Sequence, residues 1–134
     1  MEKTLKVTPC TVAEVLPYLA QVNRKKVDTS GGLATVQDVC KNAQAFAVDC
    51  EGKRVGAYAL EVLEYDRGAC LWINTGAGRL DGVDLTVSMA NVVETQARAI
   101  GAKQIGMITR RRGLVDKLAA QGWEVVGIKM VKKL

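Results

Sequence analysis

The run Ala97-Arg98-Ala99-Ile100-Gly101-Ala102-Lys103-Gln104-Ile105-Gly106-Met107-Ile108 is the stretch from which the fold is read. Upstream of it, Leu85, Met89, Val92, Val93, Gln96 and Ile100 fall on one helical stripe, and Gly101 stands where a helix C-cap takes a left-handed residue. Lys103 to Ile108 then reads as a short buried strand. Downstream, Gly113 to Gln121 places Leu114, Val115 and Leu118 at helical spacing with Gly122 as its cap. Trp123 to Val131 reads as a closing strand with a bend at Gly127.

Working back toward the N-terminus, the Gly-rich connection Gly76 to Gly82 follows a strand over Ala69 to Thr75. Before it, Ala45 to Cys50 and Arg54 to Leu63 flank a Glu51-Gly52 turn as a hairpin, and Asp66-Arg67-Gly68 turns the chain again. Three antiparallel strands in meander order are expected. Ser30-Gly31-Gly32 breaks the chain ahead of a second, shorter helix over Leu33 to Ala43. Thr11-Val12-Ala13-Glu14 has capping-box form and starts the first helix, which is expected to run through Leu16, Leu19 and Val22 to Arg24-Lys25-Lys26. Leu5 and Val7 alternate with polar neighbours as an opening strand.

Composition bounds the chemistry. The 134 residues are 49% hydrophobic and 25% charged, without internal repeats or a Pro/Ser-rich linker, so residues 1–134 are expected to form one domain with its own core. Histidine is absent, which excludes Ser-His-Asp triads, Cys-His pairs and histidine bases. It also removes nearly every zinc or non-haem iron site, and no metal is expected. Cys10, Cys40, Cys50 and Cys70 form no CxxC pair and read as reduced, mostly buried residues. With no membrane-length apolar run and no signal-peptide stretch in MEKTLKV, a cytoplasmic protein is expected, without membrane contact.

The net charge of +5 is unevenly spread. Residues 1–97 hold 10 basic and 12 acidic side chains, whereas 98–134 hold 9 basic and 2 acidic. The basic C-terminal quarter favours an anionic partner such as a phosphorylated cofactor, nucleic acid or an acidic protein face, or it is simply a solvated face. With 4% aromatic residues and no recognised motif, specific nucleic-acid reading is not expected. Trp72 and Trp123 read as core residues.

The order β-α-α-β-β-β-α-β-α-β resembles the GNAT (N-acetyltransferase-like) superfamily. The resemblance is carried by Ala97-Arg98-Ala99-Ile100-Gly101 before an apolar strand, by Leu118-Ala119-Ala120-Gln121-Gly122-Trp123, and by the ending Met130-Val131-Lys132-Lys133-Leu134. It implies an α/β (α+β) fold, with a central mixed, mostly antiparallel sheet flanked by about four helices. It implies acyl-coenzyme A, most simply acetyl-CoA, as the donor and an amine on a small molecule or protein as the acceptor. The backbone of Ile73 to Thr75 would then pair with the pantetheine arm and polarise the thioester. Arg79 and the N–H groups of Gly82 and Val83 would hold the pyrophosphate at a helix N-terminus, and the arginines of the Arg110-Arg111-Arg112 loop, Arg110 foremost, would meet adenosine phosphates or an acidic substrate.

The pattern also departs from the family. Asp84 stands where the family's phosphate turn has Gly or Ala, with Asp81 close by; either carboxylate repels a phosphate or caps the following helix. Arg111 and Leu118 occupy the positions of the family's Asn and thiolate-protonating Tyr. No catalytic residue is assigned, and Glu61, Glu64, Tyr58 and Tyr65 are the candidate bases. Two functions follow: an acyl-CoA-dependent N-acyltransferase with a degraded motif, or a catalytically inactive GNAT-like binding or structural protein. A phage-particle component, located in the virion, is an example of the second, with a protein partner on the basic quarter.

Overall fold

The computed structural model of the chain describes residues 4–21 and 24–134. Its elements are β1 (Leu5–Cys10), α1 (Val12–Leu19), α2 (Arg24–Val27), α3 (Val36–Cys40), β2 (Gln44–Cys50), β3 (Lys53–Tyr65), β4 (Gly68–Gly78), α4 (Leu85–Ala99), β5 (Gln104–Gly106) and α5 (Arg112–Ala119). One five-stranded sheet runs β1-β2-β3-β4-β5, antiparallel through β4 and parallel between β4 and β5.

Period-2 alternation sends β2 and β3 side chains to two different cores. On one face Ala45, Ala47, Ala57 and Ala59 lie beneath Val15 and Leu19 of α1 and Val36 and Cys40 of α3. Small side chains on the sheet let these short helices sit close to it. On the other face Val48, Tyr58, Leu60 and Leu71 pack against Val93 and Ala97 of α4. Glu51 and Gly52, at φ of +52° and +79°, close the β2–β3 hairpin in the left-handed geometry that matches strand twist.

Two helical expectations are corrected. The first helix stops at Leu19, where the Gln21 N–H turns to the Tyr18 carbonyl at 3.2 Å, an i→i−3 bond that tightens and ends it. Arg24–Val27 is a separate single turn, and Val22 lies outside the described residues. The second helix begins at Val36 rather than Leu33, because Thr35 and Asp38 form a reciprocal capping box at 3.1 and 3.0 Å. Ahead of it the chain is tied into a loop: Asp28 accepts from the Ser30 and Gly32 N–H groups, and the Ser30 hydroxyl accepts from the Ala34 N–H. Thr35→Ala should therefore cost about 1 kcal/mol, read as a lower thermal midpoint.

Two strands are also corrected. β5 covers only Gln104–Gly106, since Met107 to Thr109 leave the sheet. Residues 123–134 form no strand. The Trp123 N–H donates to the Leu118 carbonyl at 3.1 Å, closing α5 through Gly122 at φ +91°, and the chain then runs exposed. Among the described residues no helix is long and apolar enough to cross a membrane.

Candidate active site between two parting strands

β4 and β5 pair only from Cys70 to Trp72 against Gln104 to Gly106. Gly106 makes this close: a Cβ there would stand 3.1 Å from the Trp72 ring. Immediately beyond, the β3–β4 register steps from Leu60↔Ile73 to Ala59↔Thr75, leaving Asn74 as the extra residue of a bulge. A bulge bends its strand and increases the local twist, and here it coincides with the point where the two parallel strands separate.

The gap is a cavity of about 290 Å³. Its walls come from Ile73 to Gly78 on one side and Met107 to Thr109 on the other, with Leu85, Met89 and Val93 of α4 and Leu114 and Leu118 of α5. Asp28, Thr29 and Ser30 of the loop after α2 contribute at a further side. The lining is largely apolar, with polar groups at the bulge, at Asp28, Thr29 and Ser30, and at Thr86, Thr109 and Arg111.

Asn74 is the most informative of these. Its amide nitrogen donates to the Val39 carbonyl at 2.8 Å and to Glu61 Oε1 at 3.0 Å, while its Oδ1 is buried without a hydrogen-bond partner. A buried acceptor left open in this way is costly unless something supplies a donor. β5 does not pair with β4 beyond Trp72, so the β5-facing edge of Ile73 to Thr75 is also open to a ligand's amide groups.

At the far end, the cavity shares Gly78, Leu85 and Thr86 with an open depression formed by residues 78–86 and Lys117. The Val83 N–H donates to the Leu80 carbonyl at 3.2 Å, and Gly82 sits in that turn at φ +76°. The space around Gly82 is open, so it is backbone conformation that requires the glycine. Arg79 approaches Asp81 at 3.6 Å, with both side chains almost fully exposed.

Asp84 caps α4, accepting from the Val87 N–H at 3.3 Å, and meets Lys117 Nζ at 3.1 Å. The Lys117 ammonium and then the Val87 N–H hold its carboxyl below the usual carboxylate range. Its charge is therefore partly answered within the fold.

The proposed site residues fall in three places. Ile73 and Thr75 line the cavity; Arg79, Gly82 and Val83 shape the adjoining turn. Arg110 is not among the lining residues, its guanidinium donating at 3.2 Å to the carbonyl of Asp28, which is, while Arg111 lines the cavity. The sequence reading does not assign Asn74 or Lys117 to binding, and it offers Arg111 only as one of the three arginines of its loop. A lone Asn inside the apolar run Leu71-Trp72-Ile73-Asn74-Thr75 is the one signal that could have drawn attention to the bulge.

Of the candidate bases, Tyr58 is buried, stacked on Phe46 with ring centroids 5.2 Å apart, and donates to Gln96 Oε1 at 3.0 Å. Burial pushes its phenol up to about 12, which removes it as a base near neutrality. Unfolded tyrosine ionises near pH 10, so stability from the buried phenol is complete below that pH and is lost as pH rises from about 10 through 12. A spectrophotometric titration should show the Tyr58 phenol ionising at about pH 12. Glu64 and Tyr65 are exposed near the end of β3, whereas Glu61 is half-buried against Asn74. Burial raises the Cys10 and Cys40 thiols, and all four cysteines are free. Among the described residues, no cluster of three or more Cys, Asp or Glu side chains is placed to hold a metal ion.

No protein-family model matches the sequence, and no curated protein matches it. Solved structures do match. Glucosamine-6-phosphate N-acetyltransferase from Arabidopsis thaliana superposes with a TM-score of 0.65 at 14% identity, covering 97% of this chain and 98% of its own. A possible acetyltransferase from Clostridium difficile 630 reaches 0.72 at 8% identity, covering 97% of each chain. An aminoglycoside N-acetyltransferase in complex with CoA reaches 0.61 at 10%, covering 99% and 97%. Nearly the whole chain therefore adopts the fold of the GNAT acetyltransferases.

Proposed function

We propose that this protein transfers an acetyl group from acetyl-coenzyme A to an amine. The observation that carries the reading is the cavity between β4 and β5, bounded by the Asn74 bulge at one end and the N-terminal turn of α4 at the other. The residues present suit such a donor: an open backbone edge at Ile73 to Thr75, a glycine turn with free space at Gly82, and Arg79, Lys117 and Arg111 as nearby cations.

The donor supplies a thioester carbonyl carbon to which the amine nitrogen bonds as the C–S bond breaks. The Ile73 to Thr75 backbone aligns that carbonyl and stabilises charge on its oxygen. Asn74 Oδ1 accepts an N–H of the incoming amine, and Glu61 acts as a positioning residue by fixing the Asn74 amide. The amine's surplus proton leaves to water, and the departing thiolate takes its proton from solvent because Leu118 has none to give.

The test is thiol release from acetyl-coenzyme A with a panel of amino sugars, aminoglycosides and peptide amines. Release that depends on an added amine supports the reading; none with any amine contradicts it. Asn74→Ala should lower kcat/KM about tenfold, the scale of one lost hydrogen bond. A second reading, an inactive GNAT-like binding protein, is favoured by one observation: Asp84 and Lys117 pair across the phosphate turn. That pair takes up groups a pyrophosphate would need.

A further inference from the structure

The cavity between β4 and β5 draws its lining from both faces of the sheet. On one face it meets Asn74 and Val39 of α3, whose carbonyl accepts from the Asn74 amide at 2.8 Å. On the other it reaches the core beneath α4, with Val48, Tyr58 and Val93 of that core and Leu118 of α5 as its floor. These four are 1–4% exposed, and half-buried Ile73, Met89 and Leu114 form the walls above them.

This floor offers a ligand nothing to hydrogen-bond. The Tyr58 phenol is its one polar side-chain group, and that already donates to Gln96 Oε1 at 3.0 Å. The strand backbone is paired as well, Val48 with Gly56 and Ala57 with Ala77. Water needs about two to four polar partners to settle in such a place, and an amide brought there leaves its N–H and C=O unanswered. Only hydrocarbon gains from the position. The amides of a coenzyme A arm therefore belong at the open backbone edge of Ile73 to Thr75. Ile73 is part of both that edge and the walls, so a thioester aligned there has its acyl chain beside the floor.

We infer, resting on the acyl-coenzyme A reading above, that the apolar floor receives the tail of the donor's acyl group: acetyl fits, and propionyl and butyryl are held more tightly. Met89 suits this role, since an unbranched thioether side chain follows tails of different length. The amine meets Asn74 on the opposite face, so tail and acceptor do not compete for space. The transfer is the one described for acetyl. The amine nitrogen bonds to the acyl carbon as the C–S bond breaks, and the tail takes no part.

Calorimetric titration of the full chain with acetyl-, propionyl-, butyryl- and dodecanoyl-coenzyme A tests this. Butyryl-coenzyme A should bind about fifteenfold more tightly than acetyl-coenzyme A, from two buried methylenes at about fourfold each, with propionyl between them. The gain should then end, because a cavity of about 290 Å³ has no room for a dodecanoyl chain. Val93→Phe fills the floor and should bring the butyryl-to-acetyl ratio to about one, whereas the milder Val93→Leu should cut it about fourfold, one methylene's worth. Circular dichroism checks that each variant folds, and if Val93→Phe does not, Val93→Leu decides. Butyryl binding no tighter than acetyl, affinity that keeps rising to dodecanoyl, or a ratio unchanged in Val93→Leu would each overturn the inference and leave the acetyl-coenzyme A reading standing. Absence of binding by every thioester would instead overturn that reading, and the inference with it.

Discussion

Gly78→Val should destabilise the fold by about 3 kcal/mol, near the upper end of the overpacking range, and weaken any ligand at the cavity at least tenfold. Gly78 faces Gly56 across the β3–β4 pair, and a Cβ on Gly78 would stand 2.7 Å from the Val55 carbonyl oxygen and 2.9 Å from Gly56 Cα. Both are backbone atoms, so no side-chain rotation relieves the contact. The strand end would have to move, and with it the Arg79 N–H that donates to the Val55 carbonyl at 2.9 Å. Gly78 also borders both the cavity and the turn, which is why stability and binding fall together. Urea unfolding should show a lower midpoint at unchanged slope, the mark of lost stability rather than an altered unfolded state.

Asp84→Gly should act in the opposite direction on binding, tightening coenzyme A about ten- to hundredfold while lowering the melting temperature slightly. The carboxylate now caps α4 and holds Lys117 at 3.1 Å. Removing it deletes a like charge beside the phosphate turn and releases an ammonium into it, so the local field changes twice in the same sense. Glycine is the mildest replacement at an N-cap, which keeps the loss small. The pH dependence carries its own sign. Because Asp84's carboxyl is held below its ordinary value, its stabilisation is present above the normal carboxylate range and is lost as pH falls through the depressed value. The variant should lack that part of the acid limb. Calorimetry showing no gain in affinity would mean that other side chains, not Asp84, limit the site.

Elements whose signals are local were legible in the sequence. α4 is set by its own stripe and by Gly101 at φ +75°, and the β2–β3 hairpin by Glu51-Gly52. Failures came where a non-local contact decides. β5 ends early because the Asn74 bulge and the strand separation follow Trp72, and a bulge is visible only by counting residues across two paired strands. The closing strand over Trp123 to Val131 has the right side chains but pairs with no strand among the described residues. At the site, residues 79–84 were located correctly as a turn before a helix, but Lys117 lies on another helix and its pairing with Asp84 has no sequence signature. Arg110 and Arg111 are neighbours in one basic run, and only the fold sends one to the Asp28 carbonyl and the other to the cavity.

The cavity between β4 and β5 as an acyl-coenzyme A site is tested most directly by calorimetric titration of the unmodified chain with acetyl-coenzyme A. The account predicts saturable heat at one ligand per chain, an upward shift of the melting temperature, and loss of both in Gly78→Val at a temperature where that variant remains folded. No heat and no thermal shift at millimolar acetyl-coenzyme A would contradict it.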